Sequence, residues 1–167
     1  MTYQVDRPVD GELHRLEIRC ARPGVRLRGR LYAASGSLRG VSTTRARLLL
    51  SGDDVTGSLV MSANVHNITN AGKRLRLGDL DVDADLGGLR PLLSFSDLGQ
   101  IRITVVVEIE NGSPFIHHQE IDIEWGQMAD QWQFRTDISW PNKARRMAVV
   151  VEELVTSTWG ATTVELR

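Results

Sequence analysis

The chain of 167 residues contains one cysteine, Cys20. A single thiol excludes an intramolecular disulfide and any zinc cluster built on several cysteines. Lysine is almost missing: of 20 basic residues only Lys73 and Lys143 are lysine. No apolar run approaches the roughly 18–20 residues that span a bilayer, so no membrane span is expected. The first 30 residues contain no signal-peptide core, so no export signal is read within the chain. Catalytic signatures are missing too. There is no Gly-x-Ser-x-Gly elbow, no Walker A loop, no Gly-x-Gly-x-x-Gly turn and no Cys–His signature around Cys20. Cys20 alternates with Leu16 and Ile18 and reads as a small buried hydrophobe. Neither a cofactor nor an enzymatic activity is expected from these residues.

What is present is ordinary globular composition: 41% hydrophobic and 25% charged residues exclude wholesale disorder. The length suits one domain with a short appendage. The charge is unevenly spread. Residues 1–50 hold 10 basic and 4 acidic side chains, a net of +6, and the remaining 10 basic and 17 acidic leave −7. The basic part is free to meet an anionic partner or the acidic part of the same chain. No nucleic-acid motif accompanies the arginines, and the aromatics are not interleaved with them, so no nucleic-acid partner is expected.

Alternation with a period of two dominates the chain. Leu16, Ile18 and Cys20, the turn Ala21-Arg22-Pro23-Gly24, and then Val25, Leu27, Gly29 and Leu31 against Arg26, Arg28 and Arg30 read as a β-hairpin with a guanidinium-rich face. Residues 33–44 are small, polar and rich in Gly and Ser, and read as a linker or loop. Strands follow near 57–67 and 75–84, the second with a break expected at Gly78. The strongest pattern is Gln100 to Glu110, with Ile101, Ile103, Val105, Val107 and Ile109 on one face. Asn111-Gly112 signals a hairpin into Phe115–Trp125. Trp132 to Trp140, Arg146 to Val155 and Gly160 to Leu166 complete about seven short strands. Leu86, Leu89, Leu92 and Leu93 have helical spacing, but Pro91 and nearby glycines argue against a helix over 86–99.

The expected fold is therefore all-β: an antiparallel two-sheet, immunoglobulin-like sandwich at 51–167, preceded by an N-terminal β-hairpin segment at 1–34 and a linker or loop at 35–50. An up-and-down barrel is the alternative, because closure is not visible in a sequence.

Asp79, Asp81, Asp83 and Asp85 are the calcium candidates, since that ion takes six to eight oxygens. Neither EF-hand register fits: position 6 is Ala84 or Leu86 and position 12 is Arg90 or Leu92. The competing reading is a solvated strand face that also discourages edge pairing. His117 and His118 are adjacent in a strand and point to opposite faces, so they cannot share a metal. The carboxylate pairs Asp53-Asp54, Glu108/Glu110 and Glu152-Glu153 do not by adjacency define a hydrolytic cleft. Trp125, Trp132, Trp140 and Trp159 all fall in the last third and suit core filling; an exposed row would suit carbohydrate stacking. Arg19, Arg26, Arg28 and Arg30 are the first-choice partner surface.

Two stretches resemble a known family. Gly11-Glu-Leu-His-Arg-Leu-Glu-Ile-Arg-Cys-Ala-Arg-Pro-Gly-Val-Arg-Leu-Arg-Gly-Arg-Leu-Tyr32 is similar to the segment that closes the A-like domain of bacterial von Willebrand factor A (VWFA)-related proteins. Residues 146–166 resemble the last hairpin of the β-sandwich that follows it in those proteins. Together they cover about a quarter of the chain. The resemblance implies the C-terminal part of a longer, secreted or envelope-associated protein, with its export signal upstream. The Asp-x-Ser-x-Ser string that binds a divalent ion in the A domain is missing, so no metal ligand is carried over. The expected function is a non-catalytic β-sandwich module mediating protein–protein or cell-envelope contacts. A carbohydrate-binding module using Trp125, Trp132 or Trp159 is the first alternative, and a carboxylate hydrolase the second.

Overall fold

The computed structural model describes residues 13–15, 32–34, 38–55, 57–89, 98–125 and 130–166. Two three-residue strands, β1 (Leu13–Arg15) and β2 (Tyr32–Ala34), pair antiparallel with Leu13 opposite Ala34. The strands expected within 16–31, and with them Cys20, Arg19, Arg26, Arg28 and Arg30, lie outside the described residues, as do Pro91, Leu92 and Leu93. A single turn of 3-10 helix covers Gly87–Leu89.

Seven further strands form two antiparallel sheets. β3 (Met61–Asn70), β4 (Leu75–Asp85) and β7 (Gln131–Pro141) make one, in the order β3-β4-β7. β5 (Leu98–Ile109), β6 (Phe115–Glu124), β8 (Ala144–Glu153) and β9 (Thr158–Glu165) make the other, in the order β6-β5-β8-β9. The two-sheet sandwich expected from the alternation is what forms. Leu80, Val82 and Ala84 of β4 and Ile138 and Trp140 of β7 meet Ile101, Ile103, Val105 and Val107 of β5 and Met147, Val149 and Val151 of β8. Burying each such aliphatic side chain contributes about 1.5–3 kcal/mol. One side of the sandwich is drawn together where the Leu59 amide donates to the Trp159 carbonyl at 3.0 Å. Gly160 permits this approach, because a Cβ there would lie 2.3 Å from the Leu59 carbonyl oxygen.

Two local readings are corrected. The segment read as a linker or loop holds a 13-residue helix, α1 (Leu38–Leu50). Gly40, Thr43 and Thr44 are poor helix formers, and the helix is held by what it covers. Ser42, Ala46 and Leu50 recur every four residues and so share one face. They are buried on Val106, Ala148, Val150 and Trp159, on the outer side of the four-stranded sheet. Tertiary packing of one face outweighs propensity here. The second correction is at Gly78, where β4 runs through without a break. Its missing Cβ makes room for Trp140, whose Cη2 would lie 2.8 Å from a β-carbon at that place. The apolar residues of β4 do change face there: Leu75 and Leu77 point outward, Leu80, Val82 and Ala84 inward.

The result is three layers: α1, the four-stranded sheet, then the three-stranded sheet. Among the described residues nothing of comparable size covers the outer face of the third layer.

Candidate functional site

Two groups of carboxylates stand out among the described residues. One group lies beneath α1. Glu152 is 1% exposed, yet both its oxygens are engaged. The Ser42 hydroxyl donates to Oε2 at 2.7 Å and Arg45 Nη1 to Oε1 at 2.8 Å. Arg45 also stacks its guanidinium 4.2 Å above the Trp159 ring. The buried Arg102 lies between two carboxylates. Its Nε and Nη2 donate to Glu120 Oε1 at 3.1 and 3.0 Å, and its Nη1 is 3.6 Å from Glu152 Oε2. Arg39 adds a third donor to Glu120 at 3.2 Å. These guanidinium hydrogen bonds, from Arg102 first and then Arg39, hold the Glu120 carboxyl below its ordinary range. At the far end of the helix Arg146 donates to the Leu50 carbonyl while pairing with Glu108, which it likewise holds low. The helix is thus tied at its start, middle and end. Adjacent Glu153 points to the other side of β8 and accepts from the amides of Val155 and Thr156, shaping the turn into β9. The Glu152-Glu153 pair therefore serves two separate structural tasks.

His118 belongs to this layer. Its Nδ1 is 3.0 Å from the Thr104 hydroxyl and its Nε2 is 3.4 Å from that of Thr43. Burial, then the nearby positive charge of Arg39 and Arg102, pushes its pKa below 6.5, against the opposing pull of Glu120. As pH falls, the unfolded chain takes up this proton first. The stability contribution is therefore complete above about 6.5 and is lost as pH drops through the lowered folded value. His118→Gln is expected to flatten the decline in urea midpoint between about pH 7.5 and about pH 5.5. Parallel pH profiles for the two proteins would show that His118 stays solvated.

The second group faces outward on the three-stranded sheet. Asp79, Asp81, Asp83 and Asp85 alternate along β4, with Asp137 opposite Asp79 on β7. Arg135 grips Asp81 through Nε at 2.5 Å and Nη2 at 2.9 Å, and this guanidinium is the main reason the Asp81 carboxyl titrates low. His66 stands between Asp79 and Asp81, its ring nitrogens 3.6 and 3.5 Å from their oxygens. Asn67 donates to Asp79 at 2.7 Å. Among the described residues no three His, Cys, Asp or Glu side chains are grouped to hold a metal ion. Asp79, Asp81, Asp83 and Asp85 form an extended acidic stripe along β4. Leu75 and Leu77 continue the same outward row, 44% and 42% exposed.

The tryptophans give the carbohydrate alternative no platform. Trp125, Trp132, Trp140 and Trp159 are all at most 8% exposed. Trp132 stacks on Phe134 with ring centroids 5.7 Å apart, at the border of the core. The chain signal that escaped the sequence reading is on β5 and β8. Val105-Val-Val107 and Met147-Ala-Val-Val-Val151 are apolar on both faces, which requires a cover on each side. That cover is α1.

No described helix is long and apolar enough to cross a membrane. No protein-family model matches the chain, and no curated protein matches it. Among solved structures it is similar to part of β-glucosidase 3B from Thermotoga neapolitana, determined in complex with α-D-glucose. The likeness has a TM-score of 0.30 and 11% identity. It covers 65% of this chain and 16% of that one. The chain thus spans about a sixth of that protein's length, and a likeness at this level carries neither fold nor activity from one to the other.

Proposed function

We propose that the chain is a non-catalytic interaction module whose contact surface is the outer face of the three-stranded sheet. The observation that carries this reading is the outward row of β4. It joins two half-exposed leucines, Leu75 and Leu77, to four carboxylates, of which Asp81 has a guanidinium partner on the same sheet. Such a face suits a protein surface with an apolar anchor and basic side chains around it. Charge complementarity of this kind guides encounter and fixes register. The reading of the chain as the C-terminal part of a longer, envelope-associated VWFA-related protein rests on the resemblance of residues 11–32 and 146–166 alone.

The test is affinity capture from a lysate of the source cells with three baits. The native chain is expected to retain proteins that Asp83→Lys/Asp85→Lys loses and that rising salt releases. Thr163→Lys, on the exposed part of β9, is expected to retain them. An identical set on all three baits would remove this face from consideration.

A further inference from the structure

β7 is an edge strand of unusual regularity. It is 11 residues long and pairs with β4 from Pro141 opposite Leu75 to Gln131 opposite Asp85, with no register shift. Its other side has no strand partner among the described residues. Natural edges are usually blunted by lysine, an internal proline or a bulge. Between Gln131 and Trp140 this edge has no lysine, proline or bulge; its two charges, Arg135 and Asp137, are of opposite sign, and its one proline, Pro141, is the last residue.

The sequence of that edge is self-complementary. Trp132-Gln-Phe-Arg-Thr-Asp-Ile-Ser-Trp140 reads as a chemical palindrome about Thr136. We infer that β7 pairs antiparallel with β7 of a second copy of this chain, Thr136 opposite Thr136. In that register Arg135 of each copy faces Asp137 of the other, twice over by the two-fold symmetry. Gln133 faces Ser139, Phe134 faces Ile138, and Trp132 faces Trp140. Each pair shares a face: the polar residues lie on the open side and the apolar ones toward the two cores. Cross-strand pairs of opposite charge and of aromatic with aliphatic are the pairs that stabilise sheets.

Charge decides for a second copy over an unrelated strand. Asp137 is exposed and its carboxylate has no partner among the described residues. The Arg135 side chain, though paired with Asp81, remains 68% exposed. The shift of two residues that brings this cation to that anion is the one that also matches the aromatic and aliphatic positions. The two three-stranded sheets would become one of six strands, and their acidic stripes would lie on one continuous face. The inference is independent of the function proposed above, because it requires only the edge.

Two experiments test it on the full chain. Sedimentation of the native protein from micromolar to sub-millimolar concentration is expected to show a monomer–dimer equilibrium. Asp137→Arg alone and Arg135→Asp alone are each expected to sediment as monomers, since each places like charges opposite one another. Their equimolar mixture is expected to restore the dimer, because both pairs are then complementary. In a Cys20→Ser background, Thr136→Cys is expected to form an intermolecular disulfide under mild oxidation. Directly opposed residues lie about 4.5–5.5 Å apart at Cα, within disulfide reach. Ser139→Cys is expected to remain reduced. A native chain that stays monomeric, a mixture that fails to associate, or equal cross-linking at 136 and 139 would each overturn the inference.

Discussion

Glu152→Ala is expected to lower the stability of the chain by about 3–5 kcal/mol, the cost of removing one partner from a buried ionic cluster. The carboxylate it removes neutralises Arg45 and approaches the buried Arg102, while accepting the Ser42 hydroxyl. Without it, the Arg102 Nη1, which has no hydrogen-bond partner among the described residues, loses the carboxylate 3.6 Å away. Helix α1 loses its central tie. Ser42→Ala removes a neutral donor to the same carboxylate and is expected to cost about 1–3 kcal/mol. Urea denaturation at constant m-value measures both. A loss below about 1 kcal/mol for Glu152→Ala would equal that of an exposed pair and would mean that the helix does not shield this group.

The second large effect is in the sandwich core. Trp140 is 1% exposed and rests on Gly78 across the β4–β7 ladder. Trp140→Ala is expected to cost about 3–5 kcal/mol, because the rigid sheets on either side cannot close the cavity. Trp140→Phe is expected to cost markedly less. It keeps an aromatic ring against Gly78 and removes a buried indole N–H that has no acceptor among the described residues, a group that is costly to hide from water. The order Ala far below Phe in denaturation midpoint is the check. Equal losses would place the indole N–H in a hydrogen bond and the ring in a looser setting.

The strands were readable because each has one face in the core, and a period of two follows directly from the pleat. Ile101, Ile103, Val105 and Val107 needed nothing more. The helix was hidden for two physical reasons. Its residues include Gly40, Thr43 and Thr44, and its buried face is short and partly polar, Ser42 with Ala46 and Leu50. What marked its place lay elsewhere, in the doubly apolar runs of β5 and β8. Around Gly78 the pattern points the other way: a strand over 75–84 whose leucines change spacing there reads as broken at the glycine. The odd spacing of Leu75 and Leu77 from Leu80 instead puts them outside.

The polar cluster under α1 was beyond sequence reasoning. Ser42 and Arg45 stand 110 and 107 positions from Glu152, and only the docking of the helix onto β8 brings them together. The acidic stripe was legible as a strand face from its alternation. That the same row ends in exposed leucines needed the face of each residue, which depends on the continuity of β4 through Gly78.

Buried carboxylates fasten the fold, Glu152 beneath α1 and Glu153 at the turn into β9, while Asp83, Asp85 and Asp137 are offered on the open sheet. Carbodiimide labelling of the native chain, read residue by residue by mass spectrometry, tests this most directly. Asp83, Asp85 and Asp137 are expected to be modified rapidly, and Glu152 and Glu153 only after unfolding. Labelling of Glu152 at the rate of Asp85 in the folded protein would contradict it.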